Sequence, residues 1–167
     1  MVARSAILSV LIGCLPLAHA QSGYVLNAAK KFLPAVEWKQ ESIVSLDFTC
    51  RGKRDFAIFG VAESEDVQSK VRTNPKESAS AVVAVFSSGL RRKPQVFRSS
   101  VTNTEFSRLT IEDNDLTTED FKGIIGEVPE GYVFSKTCKS LNLADGERDA
   151  LHIYWNKKRK IIGVWRL

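Results

Sequence analysis

The feature that most restricts the fold is a hydrophobic period of two that sets in near residue 43. Val44, Leu46, Phe48 and Cys50 alternate with Ser45, Asp47 and Thr49, so an extended segment carries one apolar and one polar face, the pattern of a strand half-buried on a core. Arg51-Gly52-Lys53-Arg54 reads as a turn, and Phe56 to Val61 returns as a second strand, apolar on both faces. With four residues in the turn, Phe48 is expected opposite Ala57 and Leu46 opposite Phe59. Ala79 to Phe86 is small, β-branched and again apolar on both faces, which predicts a central strand. Arg91-Arg92-Lys93-Pro94 interrupts, and Gln95 to Arg98 resumes as a strand. Phe106 to Ile111 and Tyr132 to Thr137 are weaker strand candidates. Glu63 to Ser78 is polar and broken by Asn74-Pro75, so it predicts a long surface connection.

Helical periodicity is confined to two places. From Ser22 to Leu33, Val25, Ala28, Ala29, Phe32 and Leu33 fall on one stripe and Pro34 ends the pattern. Thr117 or Thr118 is placed to cap a short helix through Phe121, with Glu119 and Asp120 at its positive end. The chain closes on HIYWNKKRKIIGVWRL, two apolar and aromatic runs around four cations, which predicts a hairpin. An even turn pairs Asn156 with Ile161, Trp155 with Ile162 and His152 with Trp165; an odd turn shifts the register by one and sends Trp165 to the core face. The expected fold is α+β: one domain with an N-terminal helix packed on an antiparallel sheet of about seven short strands, ending in a C-terminal β-hairpin.

Residues 1–20 read as an export leader. Arg4 precedes an apolar run from Ala6 to Leu17, and Ala18-His19-Ala20 supplies small residues before Gln21, the arrangement signal peptidase cuts, while the run is too short to span a bilayer. The expectation is a periplasmic or secreted domain over residues 21–167. Leu11-Ile12-Gly13-Cys14 resembles the box before a lipid-modified cysteine, so the alternative is a lipoprotein anchored to the membrane through Cys14.

Cleavage would leave Cys50 and Cys138, 88 positions apart, and two cysteines in an exported domain most simply form a structural disulfide. It would also remove Arg4 alone among the charges, leaving 23 Lys and Arg against 19 Asp and Glu, a net +4. That is short of the field of a dedicated nucleic-acid binder. The distribution says more than the total. Glu105 to Glu130 carries eight acidic and two basic residues, net −6, so the rest of the mature chain is +10. Much of the excess sits at three turns: Arg51, Lys53 and Arg54; Arg91, Arg92 and Lys93; Lys157, Lys158, Arg159 and Lys160. Turns sharing one end of the sheet would form a basic rim able to steer an acidic partner.

Catalytic machinery is sparse. His152 is the one histidine outside the leader, no Gly-x-Ser-x-Gly elbow exists, and only Glu147 and Asp149 lie near His152 in sequence. Asp113, Asp115 and Thr117 match the first positions of a calcium loop, but Thr118 and Ile124 stand where such a loop needs Gly and Glu. No metal or cofactor is assigned. The expected binding residues are His152, Tyr154, Lys157, Lys158, Arg159, Lys160 and Trp165, where aromatic bodies with polar tips adjoin the basic turn. The function expected is that of an exported non-catalytic binding protein, an envelope inhibitor or immunity-type factor acting on another exported protein with an acidic surface. Two alternatives stay open at this level: a small hydrolase using His152 with a nearby carboxylate, and a polyanion or membrane-surface binder working through the basic turns.

Overall fold

The computed structural model describes residues 17–63, 79–87, 89–100, 103–146 and 148–167, the side chains of residues 17–20 excepted. The bulk of the expected leader and residues 64–78 of the expected surface connection lie outside these. The chain runs α1 (Leu17–Phe32), β1 (Glu37–Trp38), a 3-10 turn (Gln40–Ser42), β2 (Val44–Leu46), β3 (Asp55–Glu63), β4 (Ala79–Phe86), β5 (Gln95–Ser100), β6 (Arg108–Asn114), α2 (Thr118–Ile124), β7 (Ser135–Ala144), β8 (Leu151–Asn156) and β9 (Ile161–Trp165). Helix α1 crosses the junction between Ala20 and Gln21 without a break.

The strands divide into two antiparallel sheets rather than the single sheet expected. One has the order β1-β3-β4-β5, with β2 sharing the β1 edge of β3; the other has the order β6-β7-β8-β9. The reason lies in β3 and β4. Phe56, Ile58, Val82, Ala84 and Phe86 point one way, onto Val25, Ala28 and Ala29 of α1. Ala57, Phe59, Ala81, Val83 and Val85 point the other way, onto Leu109, Leu141, Leu143, Leu151 and Ile153 of the second sheet. One helix covers one face; the other would stand in water unless a second apolar sheet closed over it. Burying each large side chain such as Phe59 or Ile153 contributes roughly 1.5–3 kcal/mol. The result is an α+β sandwich in layers, α1 on the first sheet, the first sheet on the second, and α2 against the far side of the second.

The expected register of the first hairpin is corrected. Val44 pairs with Ala57 and Leu46 with Asp55, so the strand ends at Leu46 and the connection is Asp47 to Arg54. Buried Asp55 explains this: one carboxylate oxygen accepts from Thr49 N at 2.8 Å and from Thr49 Oγ1 at 2.7 Å, and a strand continued to Cys50 would withdraw Thr49 from it. Strand β7 also lies later than the expected Tyr132 to Thr137, because Leu141 and Leu143 are the residues that meet the inter-sheet core. Gly60 is required where β1 crosses β3: a Cβ there would stand 2.6 Å from Val36 Cγ1 and 2.8 Å from Trp38 Cε3.

The disulfide expected between Cys50 and Cys138 is present, with the Cα atoms 4.8 Å apart. It joins the β2–β3 connection to β7, and Lys139 N donates to Asp47 O at 3.1 Å beside it. The two sheets are thus tied at one end by a covalent bond and a backbone hydrogen bond.

Candidate functional site

All three basic turns emerge at one end of the sandwich. The β2–β3 and β4–β5 connections lie together because β3 and β4 pair Phe56 with Phe86, and the Arg51 guanidinium donates to Ser87 O across them. Asp47 shapes the first connection, its carboxylate accepting from Arg51 N at 2.9 Å and Gly52 N at 2.7 Å, while Cys50 (φ 55°) and Gly52 (φ 66°) take left-handed backbone. The third turn is brought in by Gln95. Its Nε2 donates to Lys160 O at 3.0 Å and its Oε1 accepts from Ile162 N at 2.9 Å, bridging the first residue of β5 to β9 in the other sheet. Arg51, Lys53, Arg54, Arg91, Arg92, Lys93 and Lys157 to Lys160 are all exposed there.

The β8–β9 turn holds four residues, so the even register is the observed one: Asn156 pairs with Ile161, Trp155 with Ile162 and His152 with Trp165. Asn156 Oδ1 accepts from Arg159 N at 2.9 Å, closing the turn, and Lys160 has φ 57°. Over it lies the segment after α2. Gly131 O accepts from Lys157 N at 2.9 Å, and the Glu130 carboxylate meets Lys158 Nζ at 2.9 Å and Arg159 Nε at 3.5 Å. The Lys158 hydrogen bond, then the charges of Lys158 and Arg159, hold the Glu130 carboxyl below its usual range.

The core face expected for this hairpin is found: Leu151, Ile153, Trp155, Ile162 and Val164 all belong to the inter-sheet core. The opposite face is roofed over much of its extent. Phe121 of α2 is fully buried, its ring 5.2 Å from Trp165 and 4.6 Å from Tyr132, and Tyr132 lies 5.5 Å from Tyr154. Tyr154 is buried and its hydroxyl donates to Glu130 O at 2.8 Å; Asn156 Nδ2 donates to the same oxygen at 2.7 Å. Burial pushes the Tyr132 phenol up to about 12 and raises Tyr154 in the same direction. Gly163 makes room for the Tyr154 ring, since a Cβ there would stand 2.7 Å from its hydroxyl oxygen. Of the aromatic residues expected to bind, Tyr154 therefore serves the packing of this face, whereas His152 and Trp165 are only partly buried.

His152 and Trp165 stack, with ring centroids 3.8 Å apart and planes 7° from parallel. His152 Nδ1 lies 2.9 Å from Glu112 Oε2 on β6, a partner 40 positions away that no spacing argument could reach. Glu147 lies outside the described residues and Asp149 is exposed. The pair opens on a depression of about 350 Å³ lined also by Asp113, Asn114, Asp115, Leu116 and Tyr132. A carboxylate on Nδ1 sets the tautomer that leaves Nε2 as the basic nitrogen, the polarity of a general base.

Four of the eight acidic side chains between Glu105 and Glu130 are engaged with their surroundings. Asp113 pairs with Lys139, Glu112 with His152, Glu130 with the basic turn, and Asp120 closes a capping box with Thr117 at the start of α2. The Thr117 backbone N–H, then its hydroxyl, draw the Asp120 carboxyl below its usual value. Among the described residues no group of three or more His, Cys, Asp or Glu is arranged to hold a metal, and no helix is long and apolar enough to cross a membrane. Comparison with protein-family models, curated proteins and solved structures finds no match.

Proposed function

We propose that this chain is an exported, non-catalytic binding protein that engages an acidic surface of another exported protein through its basic end, in the manner of an envelope inhibitor or immunity-type factor. The observation that carries the reading is the gathering of the three basic turns at one end of a disulfide-tied sandwich, linked by Arg51 to Ser87 O and by Gln95 to Lys160 O and Ile162 N. Like charges brought together create a field that steers an oppositely charged partner and orients it before contact. The leader at residues 1–20 and the disulfide support export. Membrane association enters only through lipidation of Cys14.

The test compares the wild type with a variant carrying Arg92→Glu, Lys93→Glu, Lys157→Glu and Lys160→Glu, both shown by circular dichroism and thermal melting to be folded. Each is immobilised against an extract of its own envelope, and the proteins retained are identified. Loss of one acidic partner in the variant alone supports the proposal; equal recovery of that partner by both removes the basic end from the interface.

A hydrolase is the second reading, favoured by the 2.9 Å contact of His152 with Glu112 beside the depression. It requires an activity on an envelope ester or polymer that disappears in a folded His152→Ala variant. Polyanion binding is the third, and it requires affinity that collapses between low and physiological salt whatever the anion.

A further inference from the structure

Two of the four cations at the β8–β9 turn already hold a carboxylate. Glu130 places Oε1 2.9 Å from Lys158 Nζ and Oε2 3.5 Å from Arg159 Nε, so its two oxygens are shared between two positive groups. The remaining cations of the turns at this end, apart from Arg51 on buried Asp55, make no ion pair among the described residues. Accepting the basic end as the binding surface, we infer that Lys158 and Arg159 are its carboxylate-recognition point, and that Glu130 occupies this point in the free protein and gives it up to a carboxylate of the acidic partner.

Two features of the structure argue for exchange rather than a fixed structural pair. The side chains are open to water: Glu130 is 50% exposed, Lys158 73% and Arg159 62%, and pairs this exposed are screened and weak. The backbone beneath them is held separately. Glu130 O accepts from Tyr154 Oη and Asn156 Nδ2, and Gly131 O accepts from Lys157 N. The carboxylate can therefore swing away while the loop and the turn stay where they are. A partner carboxylate meets a preformed pair of donors, at the cost of displacing one exposed side chain.

The experiment measures binding of a fluorescein-labelled deca-glutamate peptide to the full chain at low salt by fluorescence anisotropy. Removing the internal competitor with Glu130→Gln is expected to tighten binding roughly two- to fivefold, the scale of an exposed ion pair. Glu105→Gln, which adds the same unit of net charge near the start of β6 at the far end of the sandwich, is expected to leave affinity unchanged. In a Lys158→Gln/Arg159→Gln background Glu130→Gln is expected to give no gain. Equal affinity of wild type and Glu130→Gln overturns the inference while leaving the basic surface standing; so does an equal gain from Glu105→Gln, or a gain that persists without Lys158 and Arg159. If neither wild type nor Glu130→Gln binds the peptide, the basic-end reading and this inference fall together.

Discussion

Gln95 and Ile162 belong to different sheets, yet the Gln95 carboxamide oxygen accepts from the Ile162 backbone N–H at 2.9 Å, completing for an edge strand a hydrogen bond that no neighbouring strand supplies. Its amide nitrogen donates to Lys160 O at 3.0 Å. One side chain thus sets the distance between the β4–β5 and β8–β9 basic turns. Gln95→Ala is expected to lower stability by about 1 kcal/mol in urea unfolding, the usual result of leaving one partly buried backbone N–H, that of Ile162, without a partner. The same variant loosens the juxtaposition of the turns, so its binding to an acidic partner falls more than the loss of an uncharged residue would predict.

Asp55 is a buried charge, 1% exposed, with Thr49 N and Thr49 Oγ1 on one oxygen and the Arg51 guanidinium 3.4 Å from the other. Asp55→Ala is expected to cost about 2–4 kcal/mol, because Thr49 keeps two buried donors with no acceptor. Amide hydrogen exchange would show the loss first in residues 47–54, as early exchange of Thr49.

Reduction of the Cys50–Cys138 bridge releases a closed loop of 88 positions. In the chain-entropy account the loss is about 4–5 kcal/mol. A Cys50→Ser/Cys138→Ser protein is expected to melt well below the oxidised wild type, and a reducing agent is expected to lower the wild-type melting temperature without affecting the variant.

Helix α2 has seven residues, too few to persist without tertiary support. Fully buried Phe121 supplies that support, so Phe121→Ala is expected to cost about 3–5 kcal/mol and to shift the emission of Trp165 to longer wavelength. Thr117→Ala, which removes only the cap, is expected to cost about 1 kcal/mol with no change in emission.

Tyr132 makes stability fall in alkali. Its phenol is pushed up to about 12 in the folded protein from an ordinary value of 10.0, chiefly by burial. The folded state therefore keeps a proton that the unfolded state gives up, and stability that is whole below pH 10 declines as the pH rises from 10 to about 12. Denaturation curves at stepped alkaline pH should show a shallower decline in Tyr132→Phe than in the wild type. Phenolate absorbance should lose its highest step in that variant.

Local order was legible in the chain where short-range chemistry decides it. The apolar stripe Val25, Ala28, Ala29 is the buried stripe of α1, Thr117 caps α2, and the alternation of Leu151, Ile153 and Trp155 against His152, Tyr154 and Asn156 is the alternation of the two faces of β8. The first hairpin departs from its expected register for a local reason as well: a charge before an apolar strand looks like the edge of a turn, and nothing in the order of residues says that Asp55 will be buried beneath Thr49. The candidate site was half legible. The basic turns stand out by composition, but Gln95, Glu130 and Glu112, which place those turns and partner His152, are single polar residues 65, 28 and 40 positions from what they touch.

By itself the sequence determined the periodicities, the caps, the cysteine pair and the sign of each charged turn, because each depends on neighbours within a few residues or on simple counting. Only the tertiary structure decided that the strands form two sheets, that the second face of the last hairpin lies under Phe121 and Tyr132, and that three basic turns share one end with Glu130 among them. The physical reason is that a period of two records which face of a strand is covered, and only the packed fold determines what covers it.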